Sequence, residues 1–451
     1  MNQLPVHLRN PPELAARALV LVDGEHYPSA VADTIGLLSA AGWQIAAAVL
    51  VGGGEKLREA PQYGVPVITA DTPVGALVAA ADEHQVDVVI DLADEPVLVF
   101  EDRLRIIAAA AGMGLSWLGA DARVDPPPFA TVDAPTLAIT GTGKRIGKTA
   151  ISAHIARLAD TALGGNGAVI VVAMGRGGPA EPVVIHRSEA GLTVERLLEI
   201  SRGGAHAASD YLEDAVLTGL TTIGCRRIGG GLLGAPVASN VPEGARLAAS
   251  LDPQLIILEG SGASIPPVAA TRTLLIASTA RPRDLLDDFG PWRLNRAHAL
   301  LVVGDDRETA RRMLARVSES HPYLPSWSAS LRPTPIDDVS GARIAVFTTA
   351  PSNIEPVFEA ALRAAGADPV LVSSALARRD ELRIDIERAL ELGVDTFAVE
   401  IKAAGIDVVA EAAGAHGIRG AFLANPPAAH DAEVDLDAEL TTLALAAADN
   451  A

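Results

Sequence analysis

The chain has 451 residues, 49% of them hydrophobic, and its formal net charge at pH 7 is −20. A chain of this length is expected to form about three domains, and the hydrophobic content is sufficient for a core in each. The negative charge argues against a nucleic acid or an anionic membrane surface as a partner, because both require positive charge on the binding face.

The single cysteine and the distribution of apolar residues bear on location. Cys225 cannot form an internal disulfide, which favours a reducing compartment. The least charged stretch, residues 34–54, is interrupted by Gly42, Gln44 and a run of glycines, so it indicates a helix end and a strand and not a membrane span. An apolar run near the N-terminus is too short for a signal peptide. We therefore expect a cytoplasmic protein.

In the first segment, apolar strands alternate with helical patterns, which is typical of a parallel α/β layer. Asp23, Glu25 and His26 follow the first strand, and Lys56 follows the second after three glycines. Ligands bind at the carboxyl ends of strands in such sheets, so we predict that Asp23, Glu25 and His26 contact the substrate. A single histidine in this position is also often structural. The predicted strands are residues 18–22, 45–51, 65–68 and 86–92.

Two proline-rich stretches predict the domain boundaries. The first is DARVDPPPF at residues 121–129, and the second lies between Pro322 and Pro335. They divide the chain into an N-terminal α/β domain (residues 1–128), a central domain (129–335) and a C-terminal α/β domain (336–451).

The central domain begins with a predicted strand at residues 136–140, the sequence GTGKRIGKT, and a helical pattern. This order predicts a loop that wraps nucleotide phosphates, because backbone N–H groups and the helix dipole converge at the helix N-terminus. Lys148 would reach the β- and γ-phosphates, and the Thr149 hydroxyl would bind Mg²⁺. A glycine-rich turn before an ordinary helix is the alternative. The predicted nucleotide-binding residues are Gly141, Thr142, Gly143, Lys144, Arg145, Ile146, Gly147, Lys148 and Thr149.

This loop departs from the common pattern G-x-x-x-x-G-K-[ST] because Thr142 occupies the position of the first glycine. Its spacing resembles the loop of dethiobiotin synthetase, which belongs to the P-loop branch that includes partition ATPases. Only four lysines occur in the chain, and Lys144 and Lys148 both lie in this loop. Their retention indicates that a compact ammonium group is needed there, since arginine replaces lysine almost everywhere else. We predict that both lysines act in catalysis.

The rest of the central domain offers further candidates. Glu259 ends the strand of LIILEGSGAS, where P-loop proteins place an acid that holds Mg²⁺, so we predict it to be catalytic and a metal ligand. A buried strand with a solvated glutamate at its end is the alternative. We interpret residues 203–244 as a long irregular stretch. The other strands predicted in this domain are residues 168–173, 255–258, 273–277 and 299–303.

Several basic residues are candidates for binding substrate phosphates. Arg176 lies between glycines after a strand, and Arg226 and Arg227 precede three glycines. Exposed, solvated arginines are the competing interpretation. Lys402 ends a strand of the third domain, although a lysine at a helix start is equally compatible with the sequence. The strands predicted in that domain are residues 344–347, 370–373, 396–401 and 421–423.

Six motifs together resemble the cyclic 2,3-diphosphoglycerate synthetase family, in the same order over nearly the whole chain. They are LVDGEHYP, GTGKRIGKTA, AMGRGGP, the GCRR stretch with its glycines, LEGSGAS and VEIKAAGID. The resemblance implies an α/β fold in which a central P-loop NTPase domain of the dethiobiotin-synthetase-like branch, with a parallel sheet, is flanked by N- and C-terminal α/β segments.

The resemblance also implies the reaction. The family closes 2,3-bisphosphoglycerate into cyclic 2,3-diphosphoglycerate with ATP, Mg²⁺ and K⁺, and releases ADP and phosphate. We expect a small-molecule substrate, no nucleic acid or membrane partner, and a homodimer. Two other functions stay open: a dethiobiotin-synthetase-like ligase that activates a carboxylate, and a nucleotide-switched regulatory ATPase. The segments that flank the central domain argue against the first, and Gly143 in place of a signature lysine argues against the second.

Overall fold

The computed structural model describes residues 4–9, 11, 16–57, 59, 61–190, 192–202, 209–350, 352–401 and 405–449. Contacts between residues divide the chain into two compact units. The first consists of Met1–Pro128 and Arg283–Arg296, and the second of Phe129–Pro282 and Ala297–Ala451. Residues 336–451 therefore share a unit with the phosphate loop, and the division into three domains stays a prediction.

The first unit contains a sheet in the order β3-β2-β1-β4-β5-β6, in which only the pairing of β5 with β6 is antiparallel. Helices shield the buried central strand β1, which explains its nearly continuous apolar sequence. Its elements are β1 (Arg17–Val22), α1 (Pro28–Ala40), β2 (Gln44–Leu50), β3 (Val67–Ile68), α2 (Pro73–His84), β4 (Val88–Asp91), α3 (Phe100–Gly112), β5 (Ser116–Leu118) and β6 (Arg123–Val124).

The central sheet follows the order β11-β10-β8-β12-β7-β13-β14-β15-β21, and β9 pairs with β10. The strands from β10 to β15 run parallel, so their carboxyl ends lie at one edge. The elements up to β15 are β7 (Thr136–Gly141), α4 (Lys148–Ala162), β8 (Val169–Gly175), β9 (Val183–Ile185), α5 (Val194–Arg202), α6 (Asp210–Thr218), β10 (Thr222–Ile228), β11 (Ala238–Ser239), α7 (Val241–Ala249), β12 (Leu255–Glu259), β13 (Arg272–Ser278), α8 (Arg283–Leu286), α9 (Gly290–Leu294), β14 (Ala299–Val303), α10 (Arg307–Ser320) and β15 (Ser326–Leu331).

A third sheet follows the order β16-β20-β19-β17-β18, and the chain then returns to the central sheet. There β21 pairs antiparallel with β15, and α14 packs against α4. The remaining elements are β16 (Thr334–Pro335), β17 (Arg343–Phe347), α11 (Glu355–Ala364), β18 (Asp368–Ser373), α12 (Arg379–Glu391), β19 (Thr396–Val399), a π-helix (Gly405–Ala410), α13 (Glu411–His416), β20 (Arg419–Ala424), β21 (Pro427–Ala429) and α14 (Leu436–Ala448).

Side chains alternate along β7 and build a core on each face of the central sheet. Leu137 and Ile139 pack in the cluster that contains α4 and α14, whereas Ala138 packs in the cluster that contains α7. All three side chains are almost completely buried. This two-sided packing holds the end of β7 at a fixed place in the sheet, and the predicted phosphate loop starts there.

One prediction about secondary structure is wrong. Residues 203–208 lie outside the described residues, but residues 209–244 are not irregular throughout, because α6, β10, β11 and the start of α7 lie there. The second proline-rich stretch contains β15, a strand of the central sheet, and its role as a domain boundary stays a prediction. Both regions contain short elements between glycines or prolines, and pairing with long neighbouring strands stabilises them.

Candidate active site at the phosphate loop

The predicted phosphate loop connects β7 to α4 at the carboxyl edge of the central sheet. Gly147 caps α4 with a φ of 84° and with no side-chain hydrogen bond, so the first N–H groups of the helix are available to an anion. A Cβ on Gly141 would lie 2.7 Å from Ile146 Cδ1 and 2.8 Å from Lys148 Cδ. Glycine is therefore required where the loop folds over the strand end.

Lys148 is the first residue of α4, and its side chain is 7% exposed. Its Nζ donates to Gly143 O at 2.6 Å, which places the ammonium inside the curve of the loop. Burial lowers the pKa of Lys148 to about 8; the charge of Glu259 acts in the opposite direction, and the charge of Arg176 lowers it further. A charge buried in this way is stabilised when an anion enters the loop.

Glu259 ends β12, the neighbour of β7, and is 4% exposed. Asp214 of α6 lies against it and is completely buried. Burial and the charge of Glu259 raise the pKa of Asp214 well above its usual value. Burial also raises the pKa of Glu259, which the Asp214 and Thr149 side chains partly oppose. Sequence reasoning missed Asp214, because it lies in the stretch interpreted as irregular.

The chemistry of these groups fits a Mg²⁺ ion. Glu259 Oε2 and both carboxylate oxygens of Asp214 are buried and accept no hydrogen bond from the described residues. Buried carboxylate oxygens need a proton or a cation, and oxygen is the ligand that Mg²⁺ prefers. Within the described ranges, no three His, Cys, Asp or Glu side chains are placed to hold a metal ion. The residues therefore fit a cation that takes its other ligands from phosphates and water.

The arginine candidates differ in position. Arg176 follows β8, and its Nη2 would lie 2.8 Å from a Cβ on Gly262, in the loop after β12. Arg227 on β10 is 9% exposed, and its Nη2 donates to Ser261 O at 2.9 Å in the same loop. Arg226 is exposed, because successive side chains of a strand point to opposite faces. The structure thus brings Arg176 and Arg227 together and leaves Arg226 apart.

The other loop residues take different environments. Lys144 and Arg145 are exposed, and Arg145 has a φ of 61°. Ile146 is buried beneath the loop, and Thr142 N donates to Ile276 O at 3.0 Å. The loop is thus anchored to β13, while the side chains of Lys144 and Arg145 are exposed.

The candidates in the first unit interact mainly with one another. Asp23 accepts hydrogen bonds from Glu25 N at 2.8 Å, from Asp94 N at 2.7 Å and from His26 Nδ1 at 2.9 Å. Glu25 forms an ion pair with Lys56. Their role in substrate binding stays a prediction. Lys402 lies outside the described residues.

The arrangement in the central sheet can bind a polyphosphate beside a divalent cation. Lys148 and the α4 N-terminus supply positive charge for the phosphates, and Glu259 with Thr149 supplies oxygen ligands next to them. In the part of the chain that the structure describes, no helix has the length and apolar character needed to cross a membrane.

Comparisons with known proteins identify the family. Three domain models of cyclic 2,3-diphosphoglycerate synthetase match in order: the N-terminal domain at residues 17–125, the P-loop domain at 136–319 and the C-terminal domain at 335–426.

Relatives with that name match over most of their length. The protein from Rubrobacter xylanophilus is 40% identical over 440 residues, which cover 96% of this chain and 98% of that protein. Those from Thermococcus kodakarensis and Thermococcus onnurineus are 39% and 40% identical, and each alignment covers 91% of this chain and 94% of the relative. These matches confirm the predicted resemblance, and the chain belongs to the cyclic 2,3-diphosphoglycerate synthetase family.

Proposed function

We propose that this chain is an ATP-dependent ligase that closes 2,3-bisphosphoglycerate into cyclic 2,3-diphosphoglycerate and releases ADP and phosphate. The observation that carries this proposal is the match of all three family domains, in order, to a chain whose phosphate loop holds a buried lysine. The named relatives cover nearly the whole chain, including both segments that flank the loop.

The reaction needs two bond exchanges. In the first, an oxygen of one substrate phosphate attacks the γ-phosphorus of ATP, and ADP leaves. In the second, an oxygen of the neighbouring substrate phosphate attacks the phosphorus of the activated phosphate. A P–O–P bond forms between the two substrate phosphates, the bond from the attacked phosphorus to the bridging oxygen breaks, and that oxygen leaves with the transferred phosphoryl group as inorganic phosphate. The transferred group thus supplies the leaving group that closes the ring.

The residues of the phosphate loop have distinct roles in the first exchange. The Lys148 ammonium and the N–H groups at the start of α4 bind the β- and γ-phosphates and compensate their charge. Lys144 is exposed on the same loop and stabilises the charge that develops during transfer. The Lys148 ammonium is held in place before the reaction by its hydrogen bond to Gly143 O.

Thr149 and Glu259 would hold Mg²⁺. When bound there, the ion neutralises charge on the phosphate oxygens. Asp214 lies behind Glu259 and shares its buried environment. A requirement for K⁺ is part of this proposal and rests on the family resemblance alone.

We also propose a cytoplasmic homodimer that acts on a small molecule. The need for ATP favours the cytoplasm, and the one cysteine is buried and unpaired with another cysteine. Light scattering of the purified protein tests the dimer, and a mass of one chain would contradict it.

Phosphorus NMR tests the reaction. The protein is incubated with Mg²⁺, ATP, K⁺ and 2,3-bisphosphoglycerate. We expect the resonance of a cyclic diphosphate to grow in step with inorganic phosphate and ADP, and to be lost with Lys148→Ala. Release of ADP and phosphate without the cyclic species would contradict the proposal. ATP turnover that requires a carboxylate substrate would favour a dethiobiotin-synthetase-like ligase, and turnover without any small acid would favour a regulatory ATPase.

A further inference from the structure

Positively charged groups form a row along the carboxyl edge of the central sheet. The strand order β7-β12-β8-β10 places the phosphate loop first, Glu259 second, Arg176 third and Arg227 fourth. Neighbouring strands lie about 4.8 Å apart, so β8 and β10 lie roughly 10 and 14 Å from β7. Besides burial, the charges of Arg176 and Arg227 both lower the pKa of Lys148, so the three cations lie close enough to interact.

The backbone brings the two arginines to the same level of the sheet. Arg226 of β10 pairs with Gly175 of β8, so Arg227 and Arg176 are the next residues on adjacent strands. Asn240 holds the loop after Arg176 against β10: its Nδ2 donates to Ala180 O at 2.9 Å, while its Oδ1 accepts from Arg226 N at 2.7 Å. These two hydrogen bonds hold the backbone of the loop that begins with Arg176 in place beside β10.

The Arg227 guanidinium is held by neutral acceptors. Its Nη1 donates to Gly229 O at 2.6 Å, and its Nη2 donates to Ser261 O at 2.9 Å. Its Nε is buried and has no hydrogen-bond partner among the described residues. Two backbone carbonyls orient the side chain without neutralising its charge, and the nearby charge of Asp210 only partly opposes the lowering of its pKa.

Arg176 approaches the same loop from the neighbouring strand. Its Nη2 and that of Arg227 would lie 2.8 and 3.6 Å from a Cβ on Gly262, whose φ is 63°. Across the described part of the chain, neither guanidinium forms an ion pair with a carboxylate. Burial lowers the pKa of Arg227, and the nearby charge of Arg176 lowers it further. Two repelling cations held this close are stabilised by an anion between them.

We propose that Arg176 and Arg227 form the acceptor site, which binds a phosphate monoester of 2,3-bisphosphoglycerate beside the γ-phosphate of ATP. This assignment rests on the proposed function. The phosphate loop and Lys148 bind the phosphates of the nucleotide, and they lie two or more strands away from Arg176 and Arg227. A second anion is therefore needed to explain the two arginines. The planar forks of two arginines suit the several oxygens of a phosphate dianion, and a lysine cannot reproduce that geometry.

Steady-state kinetics of substituted proteins test the acceptor site. The variants are Arg176→Met, Arg227→Met and Arg227→Lys, and Arg246→Met on the exposed face of α7 is the matched control. We expect each of the first three to raise KM for 2,3-bisphosphoglycerate about tenfold to hundredfold, the cost of losing charged hydrogen bonds. KM for ATP should stay within roughly twofold of the wild type. Arg227→Lys should raise KM for 2,3-bisphosphoglycerate as much as Arg227→Met does. It keeps the positive charge, but it loses the planar guanidinium that binds two phosphate oxygens.

Arg227 is buried, so Arg227→Met could lose stability, and melting temperatures are recorded for every variant. Arg176 is exposed, and Arg176→Met therefore tests the site without that complication. An unchanged KM for 2,3-bisphosphoglycerate in Arg176→Met would overturn the assignment, as would a rise in KM confined to ATP.

Calorimetric titration separates this proposal from the proposed function. Titration of 2,3-bisphosphoglycerate into the protein without ATP should show binding that Arg176→Met weakens. If the wild type forms no cyclic product but this binding is present and depends on Arg176, the reaction is misassigned and the anion site stands. If the wild type forms the product and Arg176→Met binds as tightly as the wild type, the site is misassigned and the reaction stands.

Discussion

The sheet of the first unit and the central sheet both have charged side chains at their strand ends, but the partners of these charges differ. In the first unit, the charged groups have side-chain partners: Asp23 accepts from His26, Glu25 forms an ion pair with Lys56, and a second ion pair joins Arg103 Nε to Asp91 Oδ2 at 2.8 Å. These contacts satisfy the charges within the unit itself.

At the edge of the central sheet, the hydrogen bonds of Lys148 and Arg227 go to neutral acceptors, while carboxylates such as Glu259 and Asp210 act on these cations through their charge. Lys148 donates to Gly143 O, and Arg227 donates to Gly229 O and Ser261 O. A backbone carbonyl orients a cation without cancelling its charge, so the charge stays available to a ligand. The position of charged residues at strand ends therefore does not by itself predict a binding site, and the charge of their hydrogen-bond partners supplies a criterion that the following variants test.

The largest effect is expected for Lys148→Ala. Loss of a fixed ammonium at the transferring phosphate should lower kcat/KM about a thousandfold. Stability should be unchanged or higher, because a buried charge no longer has to be desolvated. Steady-state ATP turnover and thermal unfolding check both expectations.

Lys148→Arg is the matched variant for this position. It keeps the charge, but the longer planar group does not fit beneath Gly141, whose Cβ position lies 3.2 Å from Lys148 Nζ. We expect it to be nearly as inactive as Lys148→Ala. Substantial turnover by either variant would remove the basis for the phosphate-loop assignment.

The next largest loss of activity is expected when the proposed Mg²⁺ ligands are replaced. Glu259→Gln keeps the shape of the side chain but removes the charge that attracts a cation, so it should lower kcat about a hundredfold. Thr149→Ala should mainly shift the Mg²⁺ concentration for half-maximal activity upward, about tenfold for one lost ligand. Titration with Mg²⁺ at fixed ATP measures both. An unchanged titration curve in the two variants would show that the ion is held elsewhere.

A smaller effect is expected for Lys144→Ala. Lys144 is exposed on the loop and lies outside the GKT sequence that starts α4. We expect kcat to fall about tenfold to hundredfold while KM for ATP changes little, since the side chain acts mainly in the transition state. A rise in KM for ATP with unchanged kcat would instead show that Lys144 binds the nucleotide in its ground state.

The parts of the site that a local motif encodes could be predicted from the sequence. The loop before Lys148 and the acid at the end of β12 are both defined by a strand and the few residues after it. Asp214 could not be found in this way, because its role depends on the packing of α6 against β8 and β10, which brings its side chain to Glu259. Arg226 and Arg227 are equivalent in sequence, and only the alternation of β10 separates them.

The fold, like the site, could be predicted from the sequence only where the signal is local. Long apolar strands such as β8 and β14 were predicted to within two residues at each end. The pairing of β21 with β15 was not predicted, because it joins residues almost 100 positions apart and has no local signal. Short elements of this kind form only when a neighbouring strand provides their hydrogen bonds.

The smallest effect on catalysis is expected for Asp23→Asn in the first unit. This variant tests whether the paired charges there differ in function from the cations of the central sheet. Asp23 is completely buried. Burial raises its pKa, but hydrogen bonds from His26, Asp94 and Glu25 together lower it below the usual 3.8. Replacement of the carboxylate should lower the free energy of unfolding by about 2 kcal/mol, because buried N–H donors lose a charged acceptor. Glu25→Gln is the control, and its exposed ion pair with Lys56 should contribute less than about 1 kcal/mol.

The pH dependence of this effect has a definite sign. A carboxyl with a lowered pKa in the folded state stabilises the protein above the unfolded value of 3.8, and this contribution is lost as pH falls through the folded pKa. The difference between the wild type and Asp23→Asn should therefore be constant near neutral pH and shrink below about pH 4. Urea unfolding at several pH values, with kinetics at pH 7, checks it. A large rise in KM for 2,3-bisphosphoglycerate with unchanged stability would show that Asp23 binds substrate, and that paired charges in the first unit also serve a site.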